Sequence, residues 1–273
     1  LKTKKTSVNQ ITEGVIWKQL LFFFFPIMLG TLFQQLYNTA DAVVVGRFVG
    51  TQALAAVGGS TGQMVNLIVG FFVGLSSGAT VIIARYYGAK NKKELNDTLH
   101  TAAALSIVGS IIITIAGIAL TPFMLKLMNT PKDVIQGSST YLRIYFAGII
   151  FVFIYNVGSA ILRAVGDSKR PLYFLIVCCF INIFLDVLLV VGFNMGVAGA
   201  ALATVISQAV SAVLVIYALM NSKDMYCLKP KEIHFHKFLF LSIVTIGLPA
   251  GIQSVMYNLS NMIIQTSLND LGT

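Results

Sequence analysis

The sequence predicts an all-α integral membrane fold, and three observations carry that reading. Of its 273 residues 56% are hydrophobic and only 11% charged, where a soluble domain carries about a quarter charged residues. Residues 48–84, 98–125 and 187–222 contain no Asp, Glu, Lys or Arg, and each run exceeds the about 20 apolar residues that a helix needs to cross a bilayer. The net charge of +9 comes from basic residues in short clusters between the apolar runs. That placement fits membrane topology and excludes the continuous basic face of a nucleic-acid binder.

Apolar runs between charged or Pro/Gly punctuation predict helices near 16–45, 52–84, 95–122, 134–162, 171–193, 197–220 and 238–268. Helix one follows Lys2, Lys4 and Lys5 and opens on LLFFFFPIMLG. No small-residue cleavage site comes after it and further spans do, so it reads as a retained helix and not as a signal peptide. Its Phe22 to Phe25 run is expected to face lipid, and Pro26 removes a backbone hydrogen bond in mid-span, a candidate hinge. Helix two carries Gly58, Gly59, Gly62, Gly70, Gly74 and Gly78, which permit close helix approach. The uncharged run of helix three lies between Asp97 and Lys126, and helix four lies between Lys132 and Arg163. Helix five follows Lys169 and Arg170, and helix six ends before Lys223.

With a cytoplasmic N-terminus, 15 of the 19 Lys and Arg residues fall inside, leaving Arg47, Lys126, Lys132 and Arg143 outside. The positive-inside rule thus predicts both the orientation and the span count, in a multi-pass protein of the plasma (cell inner) membrane.

Residues 1–222 are expected to form a six-helix amino-terminal lobe, residues 223–237 a cytoplasmic linker and residues 238–273 the first helix of a carboxy-terminal lobe. A shift of 223 residues lays Pro249 on Pro26 and Asn261 on Asn38, a weak internal repeat of the kind that duplicated transporters show. A full second copy needs five more helices, so the rest of that lobe is expected to be absent from this chain.

Two of the ten acidic residues fall inside spans, Asp41 and Asp186. An ionised carboxylate in the bilayer interior costs at least about 2.5–3.5 kcal/mol on insertion scales, so such a group usually faces a polar cavity and has a role. Tyr37 and Asn38 precede Asp41 by four and three residues, Asn182 precedes Asp186 by four, and Gln34 extends the stripe on helix one. Each set shares one helix face, and a polar stripe cannot face hydrocarbon. The competing reading makes both carboxylates glue between helices, or lets Asp41 reach the interface.

Enzyme chemistry finds no support: there is no HExxH or P-loop pattern. His100 is expected at a helix edge and His234 and His236 in the solvated linker. Cys178, Cys179 and Cys227 lack metal-ligand spacing. No cofactor, metal site or enzymatic activity is expected, and active transport would have to draw on an ion gradient.

The segments PIMLGTLFQQLYNTADAVVVGRFVGTQALAAVGG, RYYGAKN and LRAVGDSKRP resemble the multidrug and toxic compound extrusion (MATE) family, DinF-like branch. The resemblance implies a twelve-helix, two-lobe transporter that is monomeric once the second lobe is present. It also implies export of small organic cations across the bilayer in exchange for H+ or Na+. Asp41 and Asp186 match the family's carboxylates on helices one and five, with Asn182, Tyr141 and Thr204 resembling their polar partners. Pro26 resembles the proline at which helix one bends. Gln34, Tyr37, Asn38 and Asn156 are assigned to the substrate cavity. The alternative function is a flippase for lipid-linked saccharides.

Overall fold

The computed structural model describes residues 15–128, 130–222 and 224–270. The first residues of the basic amino-terminal segment therefore lie outside the described residues. Within them the chain is helical, and each predicted span has a counterpart. Six helices are long and apolar enough to cross a membrane by themselves, and a bent pair of shorter helices makes a seventh.

Helix α1 (Ile16–Phe48) runs through Pro26 without interruption. Three later spans are broken where their apolar runs are continuous. The second divides at Gly59 into α2 (Thr51–Gly58) and α3 (Ser60–Gly88). The fourth consists of α5 (Ile135–Ala147) and α6 (Ile149–Ala164), bent by 51° at Gly148. A side chain at Gly148 would collide with Val205 of the helix Gly196–Met220, so the bend sits at a tight contact with that helix. The fifth, α7 (Lys169–Asp186), passes directly into a π-helical turn, Val187–Gly192, an irregularity that often marks a functional position.

The remaining long helices are α4 (Lys92–Leu127), α8 (Gly196–Met220) and α9 (Lys237–Asp270). Asn91 caps α4 by accepting the Glu94 N–H at 3.3 Å, which satisfies one donor that the first turn leaves free. Gly166, at φ +90°, turns the chain between α6 and α7. Asp167 then pins the start of α7, accepting the Arg170 N–H at 3.1 Å and pairing with its Nε at 3.1 Å.

The central contacts join α4, α6 and α8, with α3 against α6, and α1, α7 and α8 form the flank beside them. Phe72 of α3 stacks on Phe153 of α6 at 3.7 Å between ring centres, within a core that includes Leu99, Leu142, Phe146 and Val215. The outer surface is apolar as well: Phe22 is 72% exposed, and Ile115 and Phe180 are each 65% exposed. Such a surface suits lipid and not water.

Helix α9 lies along α3. A Cβ at Gly74 would stand 2.5 Å from the Gly251 Cα, and one at Gly78 would strike the Ile243 carbonyl. Glycines at four-residue spacing on both helices thus bring the two backbones together. Gly58 meets nothing within 4 Å, so the close-approach role belongs to part of the helix-two glycines.

The linker is more firmly attached than its polarity implies. His100, expected at a helix edge, is fully buried. Its Nε2 accepts the Lys229 N–H at 3.1 Å, and its Nδ1 faces the Asn96 carbonyl at 2.8 Å. Thr101 Oγ1 accepts the His236 N–H at 3.2 Å. The histidine is inward because the linker folds back across α4 and needs an acceptor there. Residues Pro230–Glu232 form a 3-10 turn over it.

Candidate functional site: an acid pair at the end of a polar cavity

A cavity of about 490 Å³ opens between α1, α3, the α5–α6 pair, α7 and α8. The stripe on α1 lines it, with Pro26, Gln34, Tyr37, Asn38 and Asp41 all on its wall. Tyr141, Asn156 and Thr204 line it as well. Asp186 and Asn182 do not: both are fully buried, behind Asp41.

The side chains around Asp41 come from four elements. Asp41 is 6% exposed and looks into the cavity, whereas Asp186 and Asn182 are 0% exposed and back onto it from α7. The four-residue step from Asn182 to Asp186 puts both on one face of α7, and α7 packs along α1. From α8, the Thr204 hydroxyl lies 3.3 Å from Asp41 Oδ2 and 3.0 Å from the Ala200 carbonyl. Its single proton can serve only one of these at a time. A protonated Asp41 would donate to Thr204 while Thr204 donates to Ala200, and an ionised Asp41 would accept from Thr204. The Thr204 hydroxyl can therefore partner Asp41 in either protonation state. From α5, Tyr141 stands near Asp41 and stacks on Tyr145 at 6.2 Å with 10° between the rings.

The polar atoms here are under-satisfied. Asp41 Oδ1, both carboxyl oxygens of Asp186 and both amide atoms of Asn182 are buried without a hydrogen-bond partner. None of the ion pairs among the described residues involves either carboxylate. Buried polar groups are nearly always paired, and each orphan costs about 1–3 kcal/mol. A proton shared between the acids, or a small cation between them and the amide, would satisfy several at once. No group of three His, Cys, Asp or Glu with metal-binding geometry occurs among the described residues.

Several cavity residues escaped the sequence reading: Asn66, Tyr145, Tyr155, Arg163, Ser168 and Gln208. Tyr145 and Gln208 each follow an assigned residue by four, so helical spacing from Tyr141 and Thr204 could have found them. Arg163 gave no such signal, since a basic residue at a helix end reads as a topology marker.

The fold and site define a multi-pass helical membrane protein with an acid-bearing polar cavity among its helices. A model of the family described as MatE matches residues 26–188. The probable multidrug resistance proteins YoeA and YpnP of Bacillus subtilis (strain 168) are each 32% identical to the chain. Their alignments cover 94% and 96% of the chain but 57% and 58% of those proteins. A solved outward-facing conformation of a multidrug resistance MATE family transporter of the MOP superfamily superposes with a TM-score of 0.84 at 28% identity. That superposition covers 93% of this chain and 56% of the other. The chain belongs to the MatE family, and it spans somewhat more than half the length of the relatives it matches.

Proposed function

We propose that this chain forms the amino-terminal lobe and seventh helix of a two-lobe exporter of the DinF-like branch, which expels small organic cations in exchange for a proton or sodium ion. The observation that carries the reading is the position of Asp41, on a cavity wall, with a second acid and an unpaired amide at its back.

In this mechanism the coupling ion and the substrate compete for the same negative charge. With the acid pair unoccupied, Asp41 attracts a cationic substrate, and Tyr37, Tyr141 and Tyr145 add aromatic faces that hold cations. Binding of the coupling ion removes the charge, releases the substrate and favours the conformation that reloads. Alternating access then needs α1 to move, and Pro26 is the natural hinge because its ring removes one backbone hydrogen bond. One charge crossing about 150 mV yields about 3.5 kcal/mol, which sustains a concentration ratio of a few hundredfold at ~1.4 kcal/mol per decade. The basic clusters support a reading in which the amino terminus and the linker face the cytoplasm of a plasma-membrane protein that is monomeric with both lobes present.

A flippase for lipid-linked saccharides needs a basic cavity to hold pyrophosphate, whereas this wall carries one arginine and one aspartate. The test is efflux of a cationic dye from vesicles holding the complete gene product. Asp41→Asn should abolish gradient-driven efflux while leaving folded protein in the membrane. Collapsing the proton and sodium gradients separately identifies the driving ion. Undiminished efflux by Asp41→Asn would remove the carboxylate from the mechanism.

A further inference from the structure

The cavity wall carries two charged side chains, Asp41 and Arg163, and the second has no place in the mechanism above. Arg163 lies in the last turn of α6, four residues before the Asp167 that pairs with Arg170. It has no carboxylate partner among the described residues, whose ion pairs are Arg170–Asp167, Lys229–Glu232 and His234–Asp97.

The two charges lie at opposite ends. A Cβ at Gly30 would come 3.3 Å from Leu175 and 4.0 Å from Leu172, so those residues of α1 and α7 are level. Eleven residues further along each helix come Asp41 and Asp186, about 16 Å away at 1.5 Å rise per residue. Arg163, Ser168 and Pro171 lie at the α6–α7 turn, beyond Leu172 on the side away from the acid pair. Tyr155 joins them on the wall and donates to the Pro171 carbonyl at 3.2 Å. Between the poles the wall is uncharged amide and aromatic surface, including Asn156 and Gln34.

An arginine that lines a cavity without a carboxylate partner among the described residues can pair with an anionic group of a ligand. Its planar fork is suited to carboxylate, sulfonate or phosphate oxygens. We infer that Arg163 is an anion subsite of the substrate cavity, so that the preferred cargo is an elongated amphoteric ion with its cationic centre toward Asp41 and its acidic group toward Arg163. This rests on the exporter reading for transport, but not for binding.

The probes are a rhodamine cation carrying a tethered carboxylate and its methyl ester, measured for binding by fluorescence anisotropy and for export in proteoliposomes with the complete gene product. Arg163→Gln should weaken binding of the acid about tenfold, equivalent to about 1.4 kcal/mol, and leave the ester within about twofold. Arg163→Lys, which keeps the charge without the fork, should recover part of the loss, and it also reports on folding if the glutamine variant is unstable. An equal change for both dyes, or for neither, would overturn the proposal and return Arg163 to packing or topology. Loss of the acid–ester difference only when phosphatidylglycerol is present would place a lipid phosphate at Arg163, and that too would overturn it. Charge-selective binding without export of either dye would sustain the subsite and defeat the exporter reading.

Discussion

Asp186 of α7 lies directly behind Asp41 of α1, so that one acid faces the cavity and the other is sealed from it. Among the described residues neither has a cationic partner, and three of their four carboxyl oxygens are buried without a hydrogen bond. Such an arrangement costs stability, because each buried polar atom without a partner is destabilising.

That cost can be measured. Asp186→Asn supplies an amide donor beside the Asp41 carboxyl and removes one of two crowded acids, so the variant should be more stable, by about 1–2 kcal/mol. A thermal melt in detergent reads the change, and a lower melting temperature would mean that Asp186 has a stabilising partner. The same variant should bind a cationic dye normally, because Asp186 does not touch the cavity, yet alter the number of ions exchanged per turnover.

The α3–α9 contact makes a contrast between glycines. Gly74→Val would drive a side chain into the Gly251 backbone and should destabilise the protein by about 1–3 kcal/mol, the usual cost of overpacking. Gly58→Ala, with nothing within 4 Å, should be neutral or stabilising by up to about 1 kcal/mol. Melting temperatures of the two variants in one detergent test the pair, and equal effects would rule out a backbone contact at Gly74.

The linker attachment depends on His100 as an acceptor. His100→Phe leaves the Lys229 N–H facing an apolar ring, at about 1–3 kcal/mol for the orphaned donor. Hydrogen exchange at the Lys229 amide should accelerate at least about tenfold, with little change in the centre of α4. Unchanged exchange would mean that the turn at Pro230–Glu232 holds the linker without the histidine.

At the surface of the same segment, Lys229 Nζ lies 2.8 Å from Glu232 Oε1 and Asn96 donates to Oε2 at 3.3 Å. Lys229 first, then Asn96, holds the Glu232 carboxyl below the ordinary carboxylate range. A depressed carboxyl contributes fully above its unfolded value of about 4.3 and loses that contribution as pH falls through the depressed value. The contact should therefore be unaffected between neutral and mildly acidic pH and fade only on stronger acidification or at high salt. A carbon-13 NMR titration of the Glu232 carboxyl tests this, and Lys229→Met should move its midpoint upward.

Much of the candidate site was legible in the chain because the bilayer makes local patterns informative. Gln34, Tyr37, Asn38 and Asp41 fall on one stripe of one helix, and all four line the cavity. The burial of His100 and the place of Arg163 on the cavity wall were not legible for a common reason: hydropathy puts both near helix ends, and only packing shows which way each faces. The bend at Gly148 and the π turn after Asp186 were equally invisible, since an apolar run has the same composition whether its helix is straight or broken.

The sequence by itself determined the membrane class, the spans, their punctuation and the identity of the two intramembrane acids, because the cost of exposing charge or backbone to hydrocarbon is set residue by residue. Tertiary structure alone decided that residues 145 positions apart, Asp41 and Asp186, share one site, that one of them is sealed, and that Arg163 stands at the far end of the same cavity. Those facts depend on which helix faces meet, and that is settled by long-range packing of glycines, aromatics and π turns that no local pattern encodes.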